Sequence, residues 1–355
     1  MAIDFPSSPS LGQTFIVGGL IYVWDGTAWN LPSSTQINTA RRGNRIVNPS
    51  MQISQENGNT AVGNSSYPAD QWLLNFGGFT SSGLRSQSLI SPDGSPNSLM
   101  HSFSATRPSP AAADYVQLIQ YVEGQNIADL EWGTAKAKPA LLRFNAACET
   151  AGTYTVSVRS SDQLMSWLGG FTCDGTLNMK TYSFAIPAQQ SGVWNKDSTV
   201  GALIAFCYAS GSTYGGGVAG WQSSNKLALA GQTNGATVTN KNLVITDVGL
   251  YVDPDNTGVP PPFEQPDPIA ELLRCQRYWE TVGMTVIVSY SGGVPYSNTA
   301  MYKSTKRISP TLAFVAGSAN GSAVAGLGLS PLAGFRQTTF ATTAADVLVS
   351  ANARM

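Results

Sequence analysis

Between residues 45 and 253 this chain alternates short apolar runs with clusters of Gly, Pro, Asn, Asp and Ser, and no stretch there carries a helical period. A chain so patterned can close a core only by packing antiparallel sheets face to face. The run "TYTVSVRS" (153–160) sets Tyr154, Val156 and Val158 on one face and Thr155, Ser157 and Arg159 on the other. "TYSFAIP" does the same with Tyr182, Phe184 and Ile186. "DYVQLIQYVE", "ALLRFNA", "ALIAFCYA" and "LVITDVGLYV" are apolar on both faces, as strands lying between two layers are. About eight such runs predict an all-β protein whose centre, residues 44–259, is an antiparallel jelly-roll sandwich.

The flanks are read from turn chemistry and caps. "TFIV", "LIYVW" and "TAW" are separated by Gly18-Gly19 and Asp25-Gly26, dipeptides that tolerate positive φ, so residues 1–43 are expected to form a three-stranded meander and a polar connector. About 30 residues bury too little apolar surface to stand alone. Phe15, Tyr22, Trp24 and Trp29 are therefore expected to pack on a neighbouring chain, a symmetry mate or the next domain, and are candidate assembly residues. One segment has helical spacing. Asp267 can cap it, Pro268 suits its first position, and Ile269, Leu272, Leu273, Gln276 and Trp279 share a face. Pro260, Pro261 and Pro262 hold the approach extended. Residues 260–282 thus read as a spacer to a small C-terminal β module at 283–355, with the helix face around Leu273 expected to be covered by sister helices.

Charged residues are 12% of the 355 and the net charge is -1, so no electrostatic footprint for nucleic acid or an anionic membrane is present. The surface is left to Ser, Thr, Asn, Gln and Gly, as in subunits that hide their flanks against each other. No apolar run approaches the ~20 residues of a membrane helix, and the first residues lack the basic-then-apolar pattern of a leader. Cys148, Cys173, Cys207 and Cys275 have no ligand-like spacing and read as free thiols.

Candidate chemistry is sparse. His101 is the single histidine, and Ser102 and Ser104 beside it fit an ordinary alternating strand better than a catalytic triad. The pairs Asp129/Glu131 and Asp253/Asp255 could serve two-carboxylate hydrolysis but read as solvated turns. Asp253, Asp255, Thr257, Gly258 and Glu264 fall in the order of a calcium loop, yet Thr257 and three prolines depart from it, and a plain turn is expected. "YGGGVAGW" (214–221) lacks the Lys and the helix of a phosphate cradle and reads as a flexible loop. Of the tryptophans, Trp194 and Trp221 adjoin loop residues and are the candidate sugar-stacking platforms. No catalytic residue, metal or cofactor is assigned.

Several motifs, in order, resemble a module of tailed-bacteriophage fibre and virion-appendage proteins. "NRIVNPSMQISQENGNTAVGNSSYPADQW" (44–72) is similar to its opening, with Tyr67, Ala69, Asp70 and Trp72 as the final element; family members carry Trp-Gln-Arg-Gly where this chain has "ISQENG". "VEGQNIADLEWGTAKAKP" (122–139), Pro262-Phe263-Glu264, the "CQRYWE" segment (275–280), and Lys306, Arg307, Pro310 and Thr311 follow. "YVWDGTAW" is similar to short attachment segments of phage fibres. The resemblance implies a jelly roll akin to carbohydrate-binding domains, in a fibre that is often trimeric, made in the bacterial cytoplasm and resident in the virion. The expected function is structural and non-enzymatic: N-terminal anchoring to other virion proteins through Phe15, Tyr22, Trp24 and Trp29, and presentation of the sandwich to a host-surface glycan. A polysaccharide-cleaving tailspike and a purely architectural head, neck or tail fibre are the alternatives.

Overall fold

The computed structural model describes residues 5–10, 13–17, 20–24, 26–30, 43–79, 82–85, 95–287, 298–315, 321–326, 334–340 and 344–355. It divides into two units, Met1–Gly43 and Asn44–Met355. In the first, β1 (Thr14–Val17), β2 (Leu20–Trp24) and β3 (Trp29–Asn30) form an antiparallel meander. Its aromatics cluster on one another: Phe5 stacks on Trp29 at 5.5 Å and meets Tyr22 edge-on at 4.9 Å, while Trp24 lies 5.7 Å from Trp29. Phe15, Tyr22, Trp24 and Trp29 nevertheless stay only half-buried within this small unit. The Gly18-Gly19 loop, Asp25 and the connector 31–42 lie outside the described residues.

The second unit is all-β around a sandwich. Its strands are β4 (Ser66–Ala69), β5 (Trp72–Gly77), β6 (Ser82–Arg85), β7 (Leu99–Phe103), β8 (Tyr115–Glu123), β9 (Ala140–Cys148), β10 (Gly152–Ser160), β11 (Ser166–Cys173), β12 (Lys180–Ile186), β13 (Val200–Ser210), β14 (Gly220–Gln222) and β15 (Asn242–Val252). One sheet runs β14-β11-β10-β13-β8-β5-β4 and the other β12-β9-β15-β7-β6, with every named pairing antiparallel. The chain passes back and forth between the sheets, as in a jelly roll. Between them lies one continuous core. Phe144 sits at its centre, 4.8 Å from Phe206 and 5.2 Å from Phe171, both edge-on. Tyr154, Val156 and Val158 all face this core, so the alternation of β10 delivers Thr155, Ser157 and Arg159 to the opposite, outer face.

The helix forms where its cap predicts, over Pro268–Gln276, with Asp267 Oδ1 accepting from the Ala270 N–H at 2.8 Å. Its buried face differs from the apolar one. Ile269 is 74% exposed and Leu273 45%, whereas Glu271, Cys275 and Gln276 are buried, and Trp279 belongs to the following strand. The reason is polar: Glu271 accepts the Asn48 N–H at 2.6 Å and pairs with Arg274, which donates to the carbonyls of Asn44 and Ile46. The segment is thus fastened to the start of the sandwich and is not a free spacer.

Beyond it, β16 (Trp279–Ile287), β21 (Ala344–Asn352) and β18 (Thr311–Phe314) form one sheet, and β17 (Asn298–Met301), β20 (Gly334–Phe340) and β19 (Gly321–Gly326) another. Buried ionic groups tie them back. Glu123, 2% exposed at the side chain, accepts from Arg277 at 2.7 Å and from the Tyr278 hydroxyl at 2.8 Å. Lys306 and Glu280, both fully buried, pair at 2.8 Å, and Arg307 donates to the Ala353 and Ser198 carbonyls. Among the described residues no helix is long and apolar enough to cross a membrane.

Candidate functional site

The residues singled out from sequence are mostly engaged in holding the fold. His101 is 3% exposed, edge-on to Phe103 and Tyr208, and among the described residues neither ring nitrogen has a hydrogen-bond partner, so no described serine or carboxylate is aligned with it. Asp129 pairs with Arg45 at 2.6 Å, and Glu131 with Lys138 at 3.7 Å. Asp253 accepts the N–H and hydroxyl of Thr257 and the N–H of Gly258 through both carboxylate oxygens, which closes a turn. Trp194 is only 7% exposed, too little for a sugar ring to stack on it, and its indole N–H donates to Ser191 O at 2.8 Å. Trp221 is half-buried, donates to Pro187 O, and meets Trp194 and Trp132 edge-on at 5.7 and 5.6 Å. Trp194 thus lies over the core, while Trp221 keeps part of its ring at the surface.

A different cluster forms on the outer face of the large sheet. Strand register puts Arg159 opposite Leu203, and Leu203 opposite Tyr121. One row along, Ser157, Ala205, Ile119 and Leu73 are aligned; the next aligns Thr155, Cys207, Gln117 and Asn75. The Arg159 guanidinium, 1% exposed, crosses these rows: Nη2 donates to Gln117 Oε1 at 2.7 Å, and Nη1 donates to Gln163 Oε1 at 2.9 Å and Asn225 Oδ1 at 3.0 Å. Gln117 Nε2 in turn reaches Asn75 Oδ1 at 3.4 Å. Arg159 Nε and Ser157 Oγ, both buried, have no partner among the described residues.

Three tyrosines rim this polar floor. Tyr115, Tyr121 and Tyr214 are each half-buried, and Tyr115 meets Tyr214 edge-on at 5.0 Å. Burial raises the Tyr115 and Tyr121 hydroxyls above their ordinary range, while the Arg159 charge opposes it. Burial also lowers Arg159 to about 10, the nearby Tyr121, Cys207, Tyr115 and Tyr214 acting the other way. It stays cationic at neutral pH.

The glycine-rich loop forms a wall of this face and is tied down by hydrogen bonds. The Lys226 ammonium donates to the Ser212, Thr213 and Gly215 carbonyls, and the Leu227 N–H donates to Tyr214 O at 2.8 Å. A Cβ on Gly217 would meet Leu168 Cδ1 at 2.4 Å, so glycine lets the loop lie against the sheet. Ser166 Oγ donates to Ser224 O and fixes the stretch that carries Asn225. Alternation in "TYTVSVRS" signalled Arg159 on the polar face; Gln117 was hidden inside a run that reads as apolar on both sides.

No protein-family model matches the chain, and no curated protein matches it. Solved structures with similarity include a family 11 carbohydrate-binding module of the cellulosomal cellulase Lic26A-Cel5E of Clostridium thermocellum, at 12% identity over 57% of this chain and 96% of that one, with a TM-score of 0.29. TmCBM61, in complex with beta-1,4-galactotriose, shares 11% identity over 59% of this chain and 99% of that one, TM-score 0.29. The enzymatically active domain of tailspike protein 4 of bacteriophage CBA120 shares 14% over 55% of this chain but 22% of that one, TM-score 0.29. The sandwich rests on its own strand pairing, not on these likenesses.

Proposed function

We propose that this protein is a glycan-binding structural component of a tailed-phage virion, and that it binds through the outer face of the large sheet. One observation carries the binding part: half-buried tyrosine rings stand around a floor of carboxamides from Asn75, Gln117, Gln163 and Asn225. Aromatic rings offer faces to the C–H side of a pyranose, and carboxamides offer both donors and acceptors to its hydroxyls. The order of the motifs between residues 44 and 311 supports the virion assignment. Attachment of this kind is weak per copy and gains from repetition on one particle.

The reading is one of binding without cleavage. Asp129, Glu131 and Asp253 are committed to Arg45, Lys138 and a turn, leaving exposed Asp255 without a second carboxylate from its pair, and incubation with host polysaccharide is expected to release no reducing sugar. A glycan array probed with the purified protein tests binding, with Tyr121→Ala as the control. Loss of one stacked ring is expected to weaken binding by about tenfold, and because Tyr121 also packs on Leu73, Ile119, Leu203 and Ala205, near-ultraviolet circular dichroism checks that the variant compared is folded. Equal binding by Tyr121→Ala would move the site elsewhere.

Assembly into a homo-oligomer, with a trimer as the expected form, is supported by Ile269 and Leu273 exposed side by side on the helix. Leu273→Asp is expected to change the stability of the single chain by no more than about 0.5 kcal/mol and to lower the mass in solution to that of a monomer by light scattering. Retention of the wild-type oligomer mass would remove the helix from the interface.

A further inference from the structure

We propose that the face on the large sheet selects a carboxylate-bearing glycan, with Arg159 as the receptor for the carboxylate. This rests on the glycan-binding reading above and adds the chemical class of the sugar. The guanidinium is 1% exposed, yet all three of its hydrogen-bond acceptors are neutral carboxamide oxygens: Gln117, Gln163 and Asn225. Among the described residues no carboxylate forms an ion pair with it. The acid nearest in sequence, Asp162, is occupied by the Ser160 hydroxyl and the Leu164 N–H. A cation removed from water without a counter-charge is unfavourable: buried Lys306 has Glu280 and buried Arg45 has Asp129, while buried Arg307 spends its donors on the Ala353, Ser198 and Arg354 carbonyls, so Arg159 differs from all three in having neither a carboxylate nor a partner for Nε among the described residues.

The unused donors have a definite shape. Nε has no acceptor, and Nη2 has given only one hydrogen bond, to Gln117. These two nitrogens form the side-on edge of a guanidinium, the edge that meets a planar carboxylate through two parallel N–H bonds. Ser157 Oγ, fully buried and unpartnered on the neighbouring row, adds a donor for a third acceptor. Gln163 and Asn225 belong to half-buried connecting segments, so they can yield to an incoming acid, while Gln117 is held in β8 by the sheet. A neutral sugar hydroxyl could accept from Nε but would leave the charge unbalanced and the two-pronged edge half used.

The test is an array of bacterial surface oligosaccharides, each printed in native form and after carbodiimide and borohydride reduction of its carboxyl groups to alcohols. The bound members are expected to be uronic or nonulosonic acids, and reduction is expected to weaken each by about tenfold or more. Phosphate and sulfate esters survive that reduction, so binding that persists on reduced but phosphorylated or sulfated glycans would overturn the carboxylate assignment. Binding of neutral glycans, indifferent to reduction, would overturn the acidic class and leave the glycan reading standing. Binding of no glycan at all would overturn both. Arg159→Gln is expected to bind native and reduced forms alike, and Arg159→Lys, which keeps the charge but loses the fork, is expected to fall between. Near-ultraviolet circular dichroism checks that each variant is folded; the native-against-reduced comparison on the unaltered protein decides the matter if one is not.

Discussion

Lys306→Met is expected to destabilise the 44–355 unit by about 3–5 kcal/mol, because it leaves a fully buried carboxylate without its cation. Lys306 and Glu280 are both 0% exposed, their 2.8 Å contact is supplemented by Lys306 donating to Gln276 O, and the ammonium lies 4.9 Å from the centre of the Tyr302 ring. Burial lowers the Lys306 pKa, with the Glu280 charge and hydrogen bond acting the other way. The double variant Lys306→Met, Glu280→Gln removes both charges and is expected to recover most of the loss, because the desolvation of each ion disappears with it. Urea denaturation of the four proteins of this cycle gives the coupling directly. A single-variant loss below about 1 kcal/mol would place the pair in the range of a solvent-exposed ion pair.

Acid is expected to destabilise the sandwich through His101. Burial alone, with no hydrogen bond to either ring nitrogen, lowers its pKa from 6.5 to about 3. In the unfolded chain the imidazole takes up a proton below about 6.5, and in the folded protein only near 3, so the unfolded state binds the extra proton across that window. The stability is whole above 6.5 and falls as pH drops, by on the order of 4 kcal/mol when pH 3 is reached. Asp70 and Asp247, whose carboxyls are raised by burial, act in the opposite sense as pH falls toward their ordinary range. The difference between the unaltered protein and His101→Phe isolates the histidine. That variant keeps a ring against Phe103 and Tyr208 and removes both orphan nitrogens, so its unfolding free energy should vary less between pH 6.5 and 3. Parallel curves would show the imidazole protonating without penalty in the folded state.

The legible features were those fixed by a few neighbouring residues. Asp267 and Pro268 mark a helix start through local hydrogen bonding and a fixed φ, and the alternation of β10 marks an inside and an outside. Which face of the helix is buried was not legible, because Glu271 finds its partner at Asn48, more than 200 residues earlier. The same holds for the candidate site. Arg159 and Gln117 meet only because β10 and β8 flank β13 in one register, which no local pattern encodes. The burial of Trp194 was not legible for a related reason: the carbonyl of Ser191 satisfies its indole N–H and allows a ring beside a loop to turn inward.

The motifs that carry the resemblance to phage fibres also converge in space. Glu123 from one, Arg277, Tyr278 and Glu280 from the next, and Lys306 and Arg307 from the last form a single polar joint between the sandwich and the C-terminal strands. Their chemistry there is structural: buried charges paired across elements, with backbone carbonyls taking the remaining donors. None of the residues named for the sugar-binding face belongs to those motifs.

Hydrogen exchange with and without a bound acidic oligosaccharide tests the central claim most directly. New protection is expected in β8 around Gln117 and Tyr121, in β10 around Ser157 and Arg159, and in the loop segments that carry Gln163, Tyr214 and Asn225. Protection confined to the Trp221 rim or to the helix at 268–276, with these segments unchanged, would contradict it.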